Sequence, residues 1–186
     1  MSTYCQAIEN MKEADQSVHK HYHDFKYGFP IENDDELFCR LILEINQAGL
    51  SWTTILKKET NFRQAFHNFK IEKVASYNEK DVQRLLKDAG IIRNRLKIAA
   101  AIHNANVIKS LQKEYGSFSK WLHKNHPLTK DEWTRLFKKT FRFTGGEIVN
   151  EFLVSTGFLP GAHHEKCKIY KQVLKHKPAW KSTGKK

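Results

Sequence analysis

Residues 37–52, LFCRLILEINQAGLSW, constrain the fold more than any other stretch of the chain. From Leu37 to Ile45 every position is apolar except Arg40 and Glu44. Helical spacing puts Leu37, Leu41, Glu44 and Ala48 on one side, with Phe38, Ile42 and Ile45 as a neighbouring stripe. A helix apolar around most of its circumference belongs in an interior, covered on most sides. We expect it over about Asp34 to Gln47, capped by Asn33, with Asp34, Asp35 and Glu36 at its positive end and Gly49 stopping it. A carboxylate in such a helix is costly to bury unless it has partners or a ligand. Its structural explanation is an ion pair with Arg40, one turn earlier. Its functional explanation is a pocket floor.

The remaining chain supplies helices to cover that one. Residues 1–21 show little periodicity beyond a short turn around Tyr4 to Met11, and read as an arm held by something other than a core. Tyr22 to Pro30 is aromatic and closes on Gly28 and Pro30, which marks an irregular, turn-rich segment. Residues 51–77 read as short helices with Phe62, Phe66, Phe69 and Val74 in the core. Asn78 caps a helix that buries Val82, Leu85 and Leu86 and ends near Gly90. A second helix, about Leu96 to Gln112, follows the short turn IIRNR, so Asp88 to Lys97 forms a helix-hairpin-helix candidate. The alternative is an ordinary αα-hairpin with solvated charges. Ser117 caps a short helix carrying Phe118, Trp121 and Leu122, which ends at Pro127. Thr129 and Glu132 have capping-box spacing before Trp133, Leu136 and Phe137. Phe141 to Glu147 is a loop, Thr144 and Glu147 fit a second capping box, and Ile148 to Thr156 is a helix. No alternating strand pattern runs for any useful length, so the fold class is all-α.

Chemistry enters at three places. Glu44 has Trp52 just beyond its helix and Tyr22 and Tyr27 in the aromatic segment. Flat rings that stack and one carboxylate that accepts from an N–H edge are what a pocket for an extruded purine uses. At the hairpin, Gly90, Arg93, Arg95 and Lys97 offer backbone N–H groups and cations to DNA phosphates without reading sequence. The excess of 32 basic over 20 acidic residues, a net charge of +12, favours a polyanionic partner. Lastly, His163 and Cys167 stand four apart on a helix turn, and with Cys5 and His23 they form a Cys2His2 set suited to zinc, tying the arm to the C-terminal region. His21 and His164 are alternative ligands. Three cysteines make no disulfide scaffold, and a reduced, cytoplasmic setting with no membrane span is expected.

Taken together, YHDFKYGFP (22–30), LFCRLILEINQAGLSWTTILKK (37–58), DAGIIRNRLKI (88–98), FRFTGG (141–146) and the H-x-x-x-C of 163–167 resemble the DNA-3-methyladenine glycosylase I family. The resemblance implies a helix-hairpin-helix glycosylase fold with a structural zinc site joining the N- and C-terminal segments. It implies release of 3-methyladenine from alkylated double-stranded DNA; no lysine is placed as a Schiff-base nucleophile, so no lyase activity is expected, and a monomer is expected. Glu44 matches the base-binding glutamate of the family, Tyr22 and Trp52 its aromatic pocket residues, and Tyr27 stands where tryptophan is common. Leu50 matches a plug residue that fills the gap left by the extruded nucleotide. Cys5, His23, His163 and Cys167 match the zinc ligands. The glycosylase domain is then expected over 1–175, with 1–21 as its arm, 88–97 as the hairpin turn, and 176–186 as a frayed basic tail. The competing readings are a non-catalytic DNA-binding domain built on the hairpin and a zinc-stabilised helical interaction module.

Overall fold

A computed structural model describes residues 4–182, and among these residues it contains α-helices and short 3-10 turns but no strand. The central element is α3 (Asp34–Gln47), in which every residue from Leu37 to Asn46 is buried. Around it pack α4 (Trp52–Ala65), α5 (Ile71–Ala75), α7 (Arg95–Tyr115), α8 (Phe118–Asn125) and α10 (Gly146–Ser155). Each Leu, Ile or Phe that α3 buries contributes about 1.5–3 kcal/mol, which outweighs the cost of enclosing Arg40 and Glu44. The Asn33 side chain caps α3 by accepting from Glu36 N at 3.0 Å. The acidic first turn also docks its neighbours. Asp34 accepts from Phe118 N at 2.8 Å and Ser119 N at 3.0 Å, while Asp35 accepts from Ile71 N at 3.0 Å. One acidic turn therefore fixes the starts of α8 and α5 against the central helix.

The N-terminal residues depart from expectation. They form two helices, α1 (Tyr4–Glu9) and α2 (Glu13–Phe25), and α2 runs through the first part of the segment expected to be irregular. The buried positions of α2 include His19, Tyr22 and His23, spaced i, i+3, i+4. A helical stripe was present, but histidine and tyrosine carried it in place of aliphatic residues. Gly28 makes the bend after α2: its φ is +81°, and a Cβ there would lie 2.6 Å from the Ala162 Cβ. Only glycine lets this loop approach residues 161–163 so closely.

Residues 52–65 form one long helix in place of several short ones. The hairpin consists of α6 (Glu79–Lys87), closed by an Asn78–Asp81 capping box, and α7. Helix α9 (Lys130–Thr140) begins with the expected Thr129–Glu132 box. The second box does not form. Gly145 caps α10, Thr144 turns inward to donate to Phe137 O at 3.1 Å, and Glu147 pairs with Lys130 at 3.1 Å. His163 and Cys167 lie in a loop and not on a helix turn, since α11 (Lys168–Lys175) starts after them. Fraying is not seen over 176–182: Ala179 is buried, Trp180 N donates to Gly157 O at 3.3 Å, and the Trp180 ring stacks on Tyr170. No helix among the described residues is long and apolar enough to cross a membrane.

Candidate functional site

The last turn of α3 opens onto a cavity of about 410 Å³ whose lining includes Glu44, Tyr22, Tyr27 and Trp52. Each side chain arrives from a different local device. Tyr22 sits on the last turn of α2, and Tyr27 follows in the Gly28 bend. Trp52 opens α4, which Ser51 caps by accepting from Thr54 N at 3.2 Å. Between the helices Gly49 takes φ +82° and leaves Leu50 39% exposed at the tip of the turn. Tyr22 meets Trp52 edge-on at 5.2 Å between centroids and Tyr27 at 5.5 Å.

Glu44 is 4% exposed and makes no hydrogen bond or ion pair with any described residue. The Arg40 guanidinium, expected as its partner, instead donates to Tyr22 Oη at 3.1 Å and Ser155 O at 3.4 Å. Burial pushes the Glu44 carboxyl up to about 8; Arg40 opposes this and the negative charge of Glu151 adds to it. The carboxyl therefore keeps its proton at neutral pH, because Arg40, hydrogen-bonded to Tyr22 and Ser155, offsets only part of the burial cost. Burial also pushes the Tyr22 and Tyr27 phenols well up, so both hydroxyls remain protonated donors.

Four lining residues were not anticipated: Gln47, Gly161, Tyr4 and Glu151. Tyr4 of α1 packs on Tyr27 at 5.1 Å between centroids and is hydrogen-bonded to His19 Nδ1 at 2.8 Å. Glu151 of α10 accepts from Tyr27 Oη at 3.3 Å and from Asn150 Nδ2 at 3.2 Å. Tyr4 lay in a segment read as an arm, and Glu151 in a helix with no motif to single it out.

Behind Tyr27 lie Cys5, His23, His163 and Cys167, whose ligand atoms all fall within 4.8 Å of one another. Cys5 Sγ and Cys167 Sγ are each 3.7 Å from His163 Nδ1, Cys167 Sγ is 3.6 Å from His23 Nε2, and the two nitrogens are 3.1 Å apart. A tetrahedral site with bonds of about 2.3 Å to sulfur and about 2.0 Å to nitrogen has ligand–ligand edges of roughly 3.3–3.8 Å, which these four separations approach. The outward ring nitrogens are also held: His23 Nδ1 lies 2.7 Å from Asp24 Oδ1, and His163 Nε2 lies 2.8 Å from Tyr27 O. These are the outer partners that orient metal-binding imidazoles. His21 is exposed and His164 lies outside the group, which closes the alternatives.

At the hairpin the expected residues separate. Gly90 N–H donates to Asp88 Oδ1 at 2.7 Å, and a Cβ on Gly90 would press on Asp88 and Asn61. Arg93 is exposed, and Arg95 is exposed beside Glu79 at 3.2 Å. Lys97 is not at the surface. It is 6% exposed, and its ammonium donates to Asn46 O at 2.9 Å and Ala48 O at 2.7 Å, closing the C-terminal end of α3. A cation expected on phosphates is thus used on helix carbonyls, which attract it through the helix dipole.

The methyladenine glycosylase family model matches residues 12–136. DNA-3-methyladenine glycosylase 1 of Escherichia coli is 39% identical over 139 residues, 74% of each chain. The DNA-3-methyladenine glycosylase of Haemophilus influenzae is 36% identical over 134 residues, 70% of each chain. Among solved structures, 3-methyladenine DNA glycosylase I from Staphylococcus aureus, described for its recognition of 3-methyladenine, superposes with a TM-score of 0.79 at 32% identity, covering 90% of this chain and 97% of that one. A crystal structure of another 3-methyladenine DNA glycosylase I gives a TM-score of 0.73 at 34% identity, covering 81% and 93%. The chain belongs to the methyladenine glycosylase family.

Proposed function

We propose that the protein is a DNA-3-methyladenine glycosylase that extrudes the damaged nucleotide and hydrolyses its glycosidic bond. The observation that carries this reading is Glu44, a buried carboxyl without a partner at the floor of an aromatic cavity, in a family whose curated relatives bear that activity by name. N3-methylation makes adenine cationic, so the base leaves neutral and needs little acid catalysis. The work is unstacking, which costs a few kcal/mol, and recognition. As the cationic base enters, Glu44 loses its proton to solvent water, and the resulting carboxylate accepts from the N–H edge. Tyr22 and Trp52 stack, with Tyr27 completing the wall. Water captures the oxocarbenium-like sugar and leaves an abasic site. No lysine or arginine is among the cavity-lining residues, and Lys97 is engaged by carbonyls, which supports a monofunctional hydrolase without lyase activity.

Leu50, exposed at the α3–α4 turn, fills the gap in the duplex; Gly90, Arg93 and Arg95 lie against the phosphate backbone. Cys5, His23, His163 and Cys167 hold a zinc ion whose contribution is structural, since it joins α1 and α2 to the 163–167 loop. One glycosylase domain covers 1–175, the basic residues from 176 onward follow it, and the enzyme acts as a monomer in the cytoplasm, where thiols stay reduced. The test is incubation with methylated duplex DNA and chromatography of the released bases. Free 3-methyladenine is the expected product. Salt-sensitive duplex binding with no released base would replace this reading with a non-catalytic DNA-binding domain.

A further inference from the structure

We propose that Glu151 is a second recognition carboxylate of the base pocket, acting from α10 as Glu44 acts from α3 to select N-alkylated purines that carry positive charge. The inference rests on the glycosylase reading and deepens it. Glu151 lines the same cavity as Glu44, and its two oxygens are held in place, one by the Tyr27 hydroxyl at 3.3 Å and the other by the Asn150 amide at 3.2 Å. Its negative charge reaches Glu44, where it helps to keep the proton on that carboxyl.

Two acidic groups in one cavity are costly in a protein built to approach a polyanion. The chain carries a net charge of +12, yet among the described residues no lysine or arginine lines this cavity, and Arg40 donates through Nη1 to Tyr22 Oη and Ser155 O. Carboxylates near DNA repel phosphate unless the group that enters brings a compensating charge. A cationic purine does so, and its N–H edge can reach an acceptor on either helix. A neutral purine gains no charge attraction from a second carboxylate while still stripping it of water. The pair therefore discriminates partly by penalising the wrong base, which is how specificity is commonly built. Because Tyr27 remains a protonated phenol, its hydroxyl donates to Glu151.

The alternative role for Glu151 is to orient the Tyr27 ring, and the two roles separate on charge. Calorimetric titration of the full-length protein uses 3,9-dimethyladeninium, a permanently cationic mimic of the lesion, and 9-methyladenine, its neutral counterpart. Wild type is expected to prefer the cation. Glu151→Gln should lose about tenfold in affinity for the cation, some 1.4 kcal/mol, and leave the neutral base unchanged. Glu151→Asp, which keeps the charge, should stay within about threefold of wild type, and it serves equally if the Gln variant fails to fold. Tyr27→Phe, which keeps the ring, should lose no more than about threefold. Unchanged cation affinity in Glu151→Gln would overturn the proposal. So would equal losses in Glu151→Gln and Tyr27→Phe for both bases, which would make Glu151 a positioning residue for Tyr27. These titrations do not depend on catalysis. A wild type that releases no 3-methyladenine from DNA sinks the glycosylase reading and leaves the charge preference of the cavity to be read separately.

Discussion

Two groups of buried polar side chains lie back to back in this protein, and Tyr27 belongs to both. Its carbonyl is 2.8 Å from His163 Nε2, while its ring and hydroxyl face the cavity that holds Glu44 and Glu151. In the Cys/His group the ring nitrogens that point outward are matched, His23 by Asp24 and His163 by Tyr27. In the cavity, Glu44 has no hydrogen-bonding partner among the described residues. Buried polar networks are either satisfied, in which case they rigidify, or incomplete, in which case something must complete them. The first arrangement is a clasp. The second is an arrangement that a ligand would complete.

The sharpest way to break this contrast is Glu44→Gln. Removing the one carboxyl at the floor should lower kcat/KM for 3-methyladenine release by about 10²–10³, the range for losing a single electrostatic contact in an enclosed site. Stability should move the other way. The folded carboxyl titrates near 8 against 4.5 for an ordinary glutamate. A raised folded value contributes stability that is complete below the unfolded value and is lost as pH rises through the folded one. The melting temperature of the variant should therefore exceed that of wild type by a margin that grows with pH to about 8 and then levels. The activity profile tests the same proton. Wild-type kcat/KM should rise about tenfold per pH unit below 8 and flatten above it, because the cationic base requires the ionised form. Arg40, Glu151, Tyr4, Tyr22 and Tyr27 are the other ionisable groups interacting with Glu44, and no tyrosine among them titrates in this range. A Gln variant with full activity would remove Glu44 from base recognition.

The clasp should respond in the opposite sense. With the proposed zinc in place, Cys167→Ser or exhaustive chelation would remove cross-links between the N-terminal helices and the 163–167 loop. We expect a loss on the order of 3 kcal/mol, or roughly 6–12 °C in melting temperature for a domain of this size. Asp24→Asn, which only weakens the hold on His23, should reduce zinc affinity by about 10–100-fold while the protein stays folded. Protein purified without stoichiometric metal, with a melting temperature indifferent to chelator, would reduce the clasp to an ordinary buried cluster.

How well each region could be read from sequence follows the same division. The central helix was legible to its ends, because ten consecutive buried positions and an Asn cap leave few alternatives. The four Cys/His residues were legible as a set, although the helix turn assumed for His163 and Cys167 is a loop. The α2 helix was not seen, because its buried stripe is His19, Tyr22 and His23, and polar rings do not register as hydrophobic periodicity. Tyr4 and Glu151 enter the cavity through tertiary packing alone, and nothing local marks them. Lys97 was misplaced for a related reason. A lysine in a basic turn looks solvated, and only the arrival of the α3 C-terminus beneath it shows otherwise.

That lysine gives the smallest prediction, and it separates scaffold from DNA contact within one turn. Lys97→Met keeps the aliphatic stem and deletes the ammonium, leaving the carbonyls of Asn46 and Ala48 without their donor. The cost should be about 1–2 kcal/mol of stability, with the salt dependence of DNA affinity unchanged. Arg93→Ala, at an exposed position on the proposed phosphate face, should do the reverse. It should leave the melting temperature within about 1 °C and reduce the slope of log K against log salt by about one. Burial decides which effect each cation has, because a desolvated ammonium bound to two carbonyls is not free to release a counterion. If Lys97→Met flattened the salt slope while the melting temperature held, the ammonium would have to reach DNA after all, and the end of α3 would need another donor.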